Sequence, residues 1–120
     1  MVETQSPRQY DLEARTLLFA KEVIAFVGTL PKTLPNTEIS RQLIRAAGSV
    51  GANYIEANES LGKKDFLMRI KISRKEAKES RYWLQLVQCA DGSRTTQQRL
   101  TQESTELMKI FGAILRNSTS

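Results

Sequence analysis

Hydrophobic residues recur along most of the chain at steps of three and four positions, the spacing of one face of an α-helix. The first stripe predicts an amphipathic helix over residues 7–29, opened by Pro7 and ended by Pro31 and Pro35. This stripe consists of Leu12, Thr16, Phe19, Val23, Phe26 and Leu30, with Val27 beside them. No segment shows the strict apolar and polar alternation of a half-buried strand.

A second helix is predicted over residues 37–59, after a loop at 31–36 and an N-cap at Asn36 or Thr37. Its stripe consists of Ile39, Leu43, Ala46, Ala47, Val50, Tyr54 and Ala57. Gly48 and Gly51 lie inside this helix, where each costs about 1 kcal/mol relative to alanine. We therefore expect close backbone packing at these glycines.

Two further helices are predicted over residues 63–89 and 95–116, separated by the breaker Asp91-Gly92-Ser93. The inward stripes comprise Phe66, Ile70, Ser73, Ala77, Ser80, Leu84 and Val87, then Leu100, Ser104, Leu107, Phe111 and Ile114. Four helices with short connections predict an all-α fold, a single domain over residues 1–120 forming an antiparallel up-down-up-down four-helix bundle.

Three of the helices carry further apolar residues away from the main stripe. They are Leu17, Ile24, Ile44, Ile55, Met68, Ile72, Trp83 and Leu86. Wide stripes can fill a thick core, but together these exceed what four helices hide from water, and repeated apolar stripes indicate an interface. We expect a homo-oligomer, with Ile72, Trp83 and Leu86 as interface candidates.

The composition excludes much catalytic chemistry. The chain has no histidine and one cysteine, Cys89, so catalytic triads, His-ligated zinc and an internal disulfide are excluded. It has no Gly-rich phosphate loop and no membrane-spanning run, and we expect that residues 1–10, which carry Glu3 and Arg8, are not the apolar part of a secretory signal. We expect a cytoplasmic protein without cofactor, metal, membrane partner or evident small-molecule substrate.

The net charge of +5 is concentrated in the third helix. Residues 63–88 hold eight basic and three acidic side chains, whereas the rest of the chain is balanced. Seven of these cations share one face, a candidate surface for the phosphate backbone of RNA or DNA: Lys63, Lys64, Lys71, Arg74, Lys75, Lys78 and Arg81. Such binding would be independent of base sequence. The alternative is a solvated face that keeps the protein soluble.

Paired carboxylates on the helices offer a second class of function. Glu76 and Glu79 lie one turn apart, and with Glu56 they could hold Mg²⁺ as in all-helical nucleotide pyrophosphohydrolases. Helices one and four offer no matching acidic pair on their core stripes, so Glu76 and Glu79 are better explained by pairing with a basic residue of a neighbouring helix. We expect Asn53 and Glu56 to be partly or fully buried and hydrogen-bonded, with Asn53 fixing helix register.

Residues 31–87 resemble a bacterial family, the four-helix-bundle proteins encoded by intervening sequences of 23S ribosomal RNA genes. The matching runs are Arg41-Gln42-Leu43-Ile44-Arg45, Ser49-Val50-Gly51-Ala52-Asn53-Tyr54 with Glu56-Ala57, Lys63-Lys64-Asp65-Phe66, Lys75-Glu76-Ala77-Lys78-Glu79 and Tyr82-Trp83-Leu84. A weaker likeness extends through Glu106-Leu107 and Lys109-Ile110. The chain departs from the family at Ile55, where arginine is usual, and at Gly62, where serine is usual.

The resemblance implies an antiparallel bundle that assembles as a ring, typically a homopentamer, with no established catalytic activity. A distant relative, the accessory protein of diversity-generating retroelements, resembles a basic pentameric barrel that engages nucleic acid, which is an analogy at the level of fold. We therefore expect a non-catalytic oligomeric scaffold or adaptor that binds RNA or DNA, with the Mg-dependent hydrolase as the alternative.

Overall fold

The computed structural model describes the backbone of residues 7–119 and the side chains of residues 12–118. The chain forms four α-helices, namely α1 (Pro7–Val27), α2 (Leu34–Asn58), α3 (Lys63–Leu86) and α4 (Arg94–Thr119). A single turn of 3-10 helix, Asp91–Ser93, precedes α4, and no strand occurs among the described residues. The all-α prediction is confirmed. None of the described helices has the length and apolar character needed to cross a bilayer.

The four helices share one hydrophobic core. Helices α2 and α4 each pack against both α1 and α3. The predicted stripes supply this core, with Phe19, Leu43 and Leu107 fully buried. Of the residues predicted to be inside, four are half-buried, and all four still pack against the core: Val27, Ile39, Phe66 and Ile114. Helical periodicity therefore identified the packed face of every helix.

Helix α2 begins earlier than predicted. Thr33 is its N-cap, and the Thr33 hydroxyl accepts a hydrogen bond of 3.2 Å from the backbone N–H of Asn36. Pro35 lies in the first turn, where its missing N–H removes no helical hydrogen bond. The prediction of Asn36 or Thr37 as the cap, with a loop through residue 36, is therefore wrong.

Helix α3 ends at Leu86, whereas the prediction placed its end at residue 89. The side chain of Asn36 binds both backbone groups of Gln88: Nδ2 donates to the carbonyl at 2.8 Å, and Oδ1 accepts from the N–H at 3.0 Å. From α4, Gln97 Nε2 donates to the carbonyls of Leu84 and Val87, at 2.8 and 3.1 Å. The side-chain amides of Asn36 and Gln97 therefore bind backbone groups that would otherwise form the next hydrogen bonds of the helix.

The remaining helix ends differ by a few residues from the predicted ones. Helix α1 ends at Val27 instead of residue 29, and α4 runs from Arg94 to Thr119 instead of residues 95–116. At the end of α1, the Thr29 hydroxyl donates to the carbonyl of Phe26 at 2.6 Å, which turns the chain out of the helix. None of these shifts changes which side chains face the core.

The two glycines of α2 have different surroundings. A Cβ atom at Gly51 would lie 2.8 Å from Thr16 Oγ1 and 3.1 Å from Thr16 Cβ, so α1 and α2 are in close contact there. The Thr16 hydroxyl is buried and donates toward the carbonyls of Leu12 and Glu13, each at 3.0 Å. A Cβ at Gly48 would meet no described atom within 4 Å. Close packing therefore holds for Gly51, and the expectation was wrong for Gly48.

This difference predicts opposite effects for the same substitution at two neighbouring sites. Gly51→Ala should lower the free energy of unfolding by about 1–3 kcal/mol, because Thr16 or the helices must move. Gly48→Ala should raise it by about 1 kcal/mol through helix propensity alone. Urea unfolding at one protein concentration measures both, and changes of the same sign would contradict the close contact at Gly51.

Candidate nucleic-acid interface

The seven predicted cations of α3 lie in different surroundings. Four of them line a groove between α3 and α4: Lys71, Arg74, Lys75 and Lys78. Lys63 and Lys64 are exposed in the first turn of α3, outside this groove. Arg81 is half-buried, and its Nε has no hydrogen-bond partner among the described residues. The seven cations of α3 therefore do not form one continuous row on the surface.

The groove, of about 570 Å³, is basic on both sides. Helix α4 adds the cationic side chains of Lys109 and Arg116 to the four from α3. Between them lie Thr105, Met108 and Gly112. Within the part of the chain that the structure describes, no carboxylate belongs to this lining, so the groove presents positive charge on both walls. We call this feature the α3–α4 groove.

Arg74 and Arg116 approach the same point of the groove, above Gly112. Their Nη1 atoms lie 3.9 and 3.6 Å from the position that a Cβ of residue 112 would occupy. Gly112 itself is buried, so the lack of a side chain leaves room for the two guanidinium groups. The planar guanidinium has the geometry to bind a phosphate through two donors at once.

Sequence reasoning missed the contribution of α4. Lys109 and Arg116 are seven residues apart, which places them on one face of a helix. That spacing could have indicated a second basic face. It was overlooked because the chain outside the third helix has no net charge. The juxtaposition of the two helices is a tertiary property that only the structure reveals.

A second concavity, of about 680 Å³, adjoins the groove at Lys71 and is almost entirely apolar. Leu67 and Met68 form its apolar wall, and Met68 is 47% exposed. Gly62, Lys64 and Asp65 complete its lining. A basic groove and an apolar hollow therefore meet along the same helix.

The three carboxylates of the hydrolase alternative do not form one cluster, because Glu76 and Glu79 share Arg45 whereas Glu56 does not join them. Arg45 of α2 pairs with both Glu76 and Glu79, at N–O distances of 3.7 and 3.5 Å, which confirms the expected pairing with a neighbouring helix. Glu56 is exposed, so its predicted burial is wrong. Its position on α2 is turned about 120° from the inward direction of Val50. In the part of the chain that the structure describes, no three Cys, Asp or Glu side chains could share a metal ion.

Asn53 is half-buried and links two helices. Its Nδ2 donates to Ser49, to the carbonyl at 3.0 Å and the hydroxyl at 2.9 Å. Its Oδ1 accepts a hydrogen bond of 3.0 Å from Arg69 Nη1 of α3. Hydrogen bonds of this kind would align α2 with α3. That Asn53 fixes the register of the two helices stays a prediction.

The interface candidates lie at or near the surface of the single chain. Leu86 is 45% exposed, while Ile72 and Trp83 are half-buried. Trp83 contacts the core and stacks edge-to-face on Tyr82, yet its indole Nε1–H finds no acceptor on any described residue. The other second-stripe residues are also exposed: Leu17, Ile24, Ile44, Ile55 and Met68. Sequence reasoning missed the exposed Leu18, Leu34, Leu61 and Tyr82.

Four helices around one core, with a basic groove on the surface, define a small all-α protein whose site is suited to binding an anion. Residues 8–113 match the 23S rRNA-intervening sequence proteins, and the chain belongs to this family. A similar solved structure is a protein with unknown function from the S23 ribosomal protein family of Bacteroides thetaiotaomicron. It is 26% identical, with a TM-score of 0.77 over 90% of this chain and 97% of that chain. No curated protein matches significantly.

The environment of Glu76 predicts a pH dependence of stability. Burial raises the pKa of Glu76 above its ordinary value; the charge of Glu79 adds to this rise, and Arg45 opposes it. The folded protein therefore binds this proton more tightly than the unfolded chain does. As the pH rises through the raised pKa, Glu76 lowers the free energy of unfolding.

Glu76→Gln should remove this part of the pH dependence and leave the protein at least as stable at neutral pH. Glu38→Gln, an exposed site on α2 with the same charge change, is the control and should keep it. Urea unfolding from mildly acidic to neutral pH measures both. A Glu76→Gln curve parallel to the wild-type curve would show that the carboxylate is not held in an unfavourable environment.

Proposed function

We propose that this protein is a non-catalytic, oligomeric scaffold or adaptor that binds RNA or DNA by the phosphate backbone. The α3–α4 groove is the observation that carries the proposal. Six cationic side chains from two helices surround it, and its described lining holds no carboxylate. Contacts of cations with phosphates need no particular base, so binding is independent of sequence. A cytoplasmic location belongs to the proposal.

The proposed architecture is an antiparallel up-down bundle that assembles as a ring, most simply a pentamer. The antiparallel order is supported by contacts whose residue numbers rise in one helix and fall in the next. Glu22 of α1 pairs with Arg99 of α4, and the earlier Arg15 pairs with the later Glu103. Between α2 and α3, Asn36 binds Gln88, whereas Asn53 binds Arg69.

Oligomerisation is supported by the apolar surface of the single chain. Leu17, Ile24 and Leu86 are each about half exposed, although such side chains are usually buried. Ile72 and Trp83 are half-buried in the single chain, so a second copy could cover their remaining exposed surface. A ring would repeat the α3–α4 groove around an axis, and this multivalency raises the weak affinity of one groove.

The first test is the salt dependence of nucleic-acid binding. Lys71→Gln, Arg74→Gln and Lys78→Gln combined should weaken binding and flatten the log–log salt slope by about 0.7–0.9 for each phosphate that the variant no longer neutralises. Lys21→Gln, Lys32→Gln and Arg41→Gln combined are the matched control, since these exposed cations lie outside the groove. Fluorescence anisotropy against salt concentration measures both. Equal reductions in the two triple variants would show that net charge, rather than the groove, governs binding.

The second test is the mass in solution. Light scattering should give a mass several times the 13.6 kDa of one chain. Leu86→Glu should reduce this mass, because it puts a charge into an apolar contact. Gln85→Glu adds the same charge one residue earlier at an exposed polar site and should leave the mass unchanged. A monomer mass for the wild-type protein would refute the proposed assembly.

A further inference from the structure

The surface of α1 that points away from the core is almost entirely apolar. Six described side chains of α1 are exposed, and helical spacing places them within an arc of roughly 120° opposite the core stripe. They are Ala14, Leu17, Leu18, Lys21, Ile24 and Ala25. A helix that is apolar on all sides is normally buried on all sides, so this surface needs a cover that the single chain does not provide. We call it the α1 face.

The other charges of α1 are turned away from this face. Three of the four charged side chains described on α1 are bound by neighbouring helices, namely Glu13 by Asn58 of α2, Arg15 by Glu103 of α4 and Glu22 by Arg99 of α4. The fourth, Lys21, lies at the middle of the α1 face and has no ion-pair partner among the described residues. The α1 face therefore offers a partner one positive charge and no negative one.

A second apolar surface, on the side of α3 that packs against α2, carries the opposite charge. One arc of roughly 80° on α3 contains Ile72, Glu76, Glu79, Trp83 and Leu86. The two carboxylates share a single cation, Arg45 of α2, at 3.7 and 3.5 Å. The exposed Glu38 lies seven residues before Arg45, on the same face of α2. Three carboxylates therefore oppose one cation here, and the nearby Lys75 belongs to the α3–α4 groove. We call this surface the α2–α3 edge.

The two surfaces of one chain cannot cover each other. Helix α1 packs against α2 and α4 and lies diagonally across the core from α3. Contact of either surface with its own copy about a two-fold axis is also unfavourable. Two α1 faces would bring two copies of Lys21 together, and two α2–α3 edges would bring their carboxylates together; like charges placed side by side oppose association. The α1 face of one chain on the α2–α3 edge of another joins apolar side chains and opposite charges.

We propose that copies of this protein join by a heterologous contact, in which the α1 face of one chain packs on the α2–α3 edge of the next. Lys21 then faces the carboxylates of that edge. This inference rests on the proposed oligomer and names the two surfaces that form it. A contact between two different surfaces leaves one of each free after every addition, so it repeats until a ring closes. The α3–α4 groove is on the flank of α3 that packs against α4 and stays open to nucleic acid.

The experiment mixes two variants that each lose one surface. Leu17→Glu disables the α1 face and Leu86→Glu disables the α2–α3 edge, so each alone should give a mass near the 13.6 kDa of one chain in light scattering. Mixed in equal amounts, they should give twice that mass and no more. The intact edge of the first variant binds the intact α1 face of the second, and neither can extend the pair. Gln98→Glu and Gln85→Glu add the same charge at exposed polar sites and should keep the wild-type mass.

Two further variants separate charge and folding from the contact itself. Lys21→Glu should lower the mass at a given protein concentration, because it places a carboxylate against those of the edge. Lys32→Glu makes the same charge change at an exposed site outside both surfaces and should leave the mass unchanged. Ile24→Glu takes the place of Leu17→Glu if that variant no longer melts cooperatively. The control triple variant of the salt test contains Lys21→Gln, so its mass must equal that of the wild-type protein before its salt slope is compared.

The outcomes distinguish this inference from the proposed assembly. A wild-type mass for both Leu17→Glu and Ile24→Glu overturns the inference and leaves the proposed oligomer standing. So does a mixture of Leu17→Glu with Leu86→Glu that stays at the mass of one chain or grows beyond two. A single-chain mass for the wild-type protein overturns both.

Discussion

Two side-chain amides hold the end of α3, and the arrangement of the surrounding helices depends on them. The last carbonyls of a helix have no partner within the helix and must find one elsewhere. Here Gln97 of α4 supplies donors for Leu84 and Val87, while Asn36 of α2 binds both backbone groups of Gln88. The end of α3 is therefore attached to both of its neighbours. This attachment holds the end of α3 beside Gln97 of α4, the helix that forms the other side of the groove.

The packing of the core could be predicted from the sequence because it is a local, periodic property. A stripe such as Phe19, Val23 and Phe26 needs only the pitch of a helix to be recognised. The ends of the helices were harder. Pro35 is a helix breaker in the interior but is favoured in the first turn, and the sequence alone does not distinguish the two cases. The end of α3 depends on Asn36, which lies far away in the chain.

Only the α3 side of the α3–α4 groove could be predicted from the sequence. The basic residues of α3 stood out because they are concentrated in one segment, whereas Lys109 and Arg116 are two separate cations in a helix that also carries Glu103 and Glu106. The burial of carboxylates was also misjudged, since Glu76 is the buried one and Glu56 is exposed. The difference comes from the neighbouring helix: α2 covers Glu76 and presents Arg45 to it. The burial of a polar side chain depends on which helix packs against it. The hydrophobic pattern of one helix does not hold this information.

Trp83 has a practical consequence for the study of this protein in solution. It is the only tryptophan of the chain, and its ring is half-buried beside Tyr82 with an indole N–H that no atom of the described residues accepts. Indole emission responds to the polarity and hydrogen bonding around the ring. The natural fluorescence of the unlabelled protein therefore reports on this one place of the surface. Dissociation of an oligomer on dilution, or binding of a second chain at this surface, can therefore be followed as a shift in the wavelength of Trp83 emission. The measurement needs neither a fluorescent label nor a substitution.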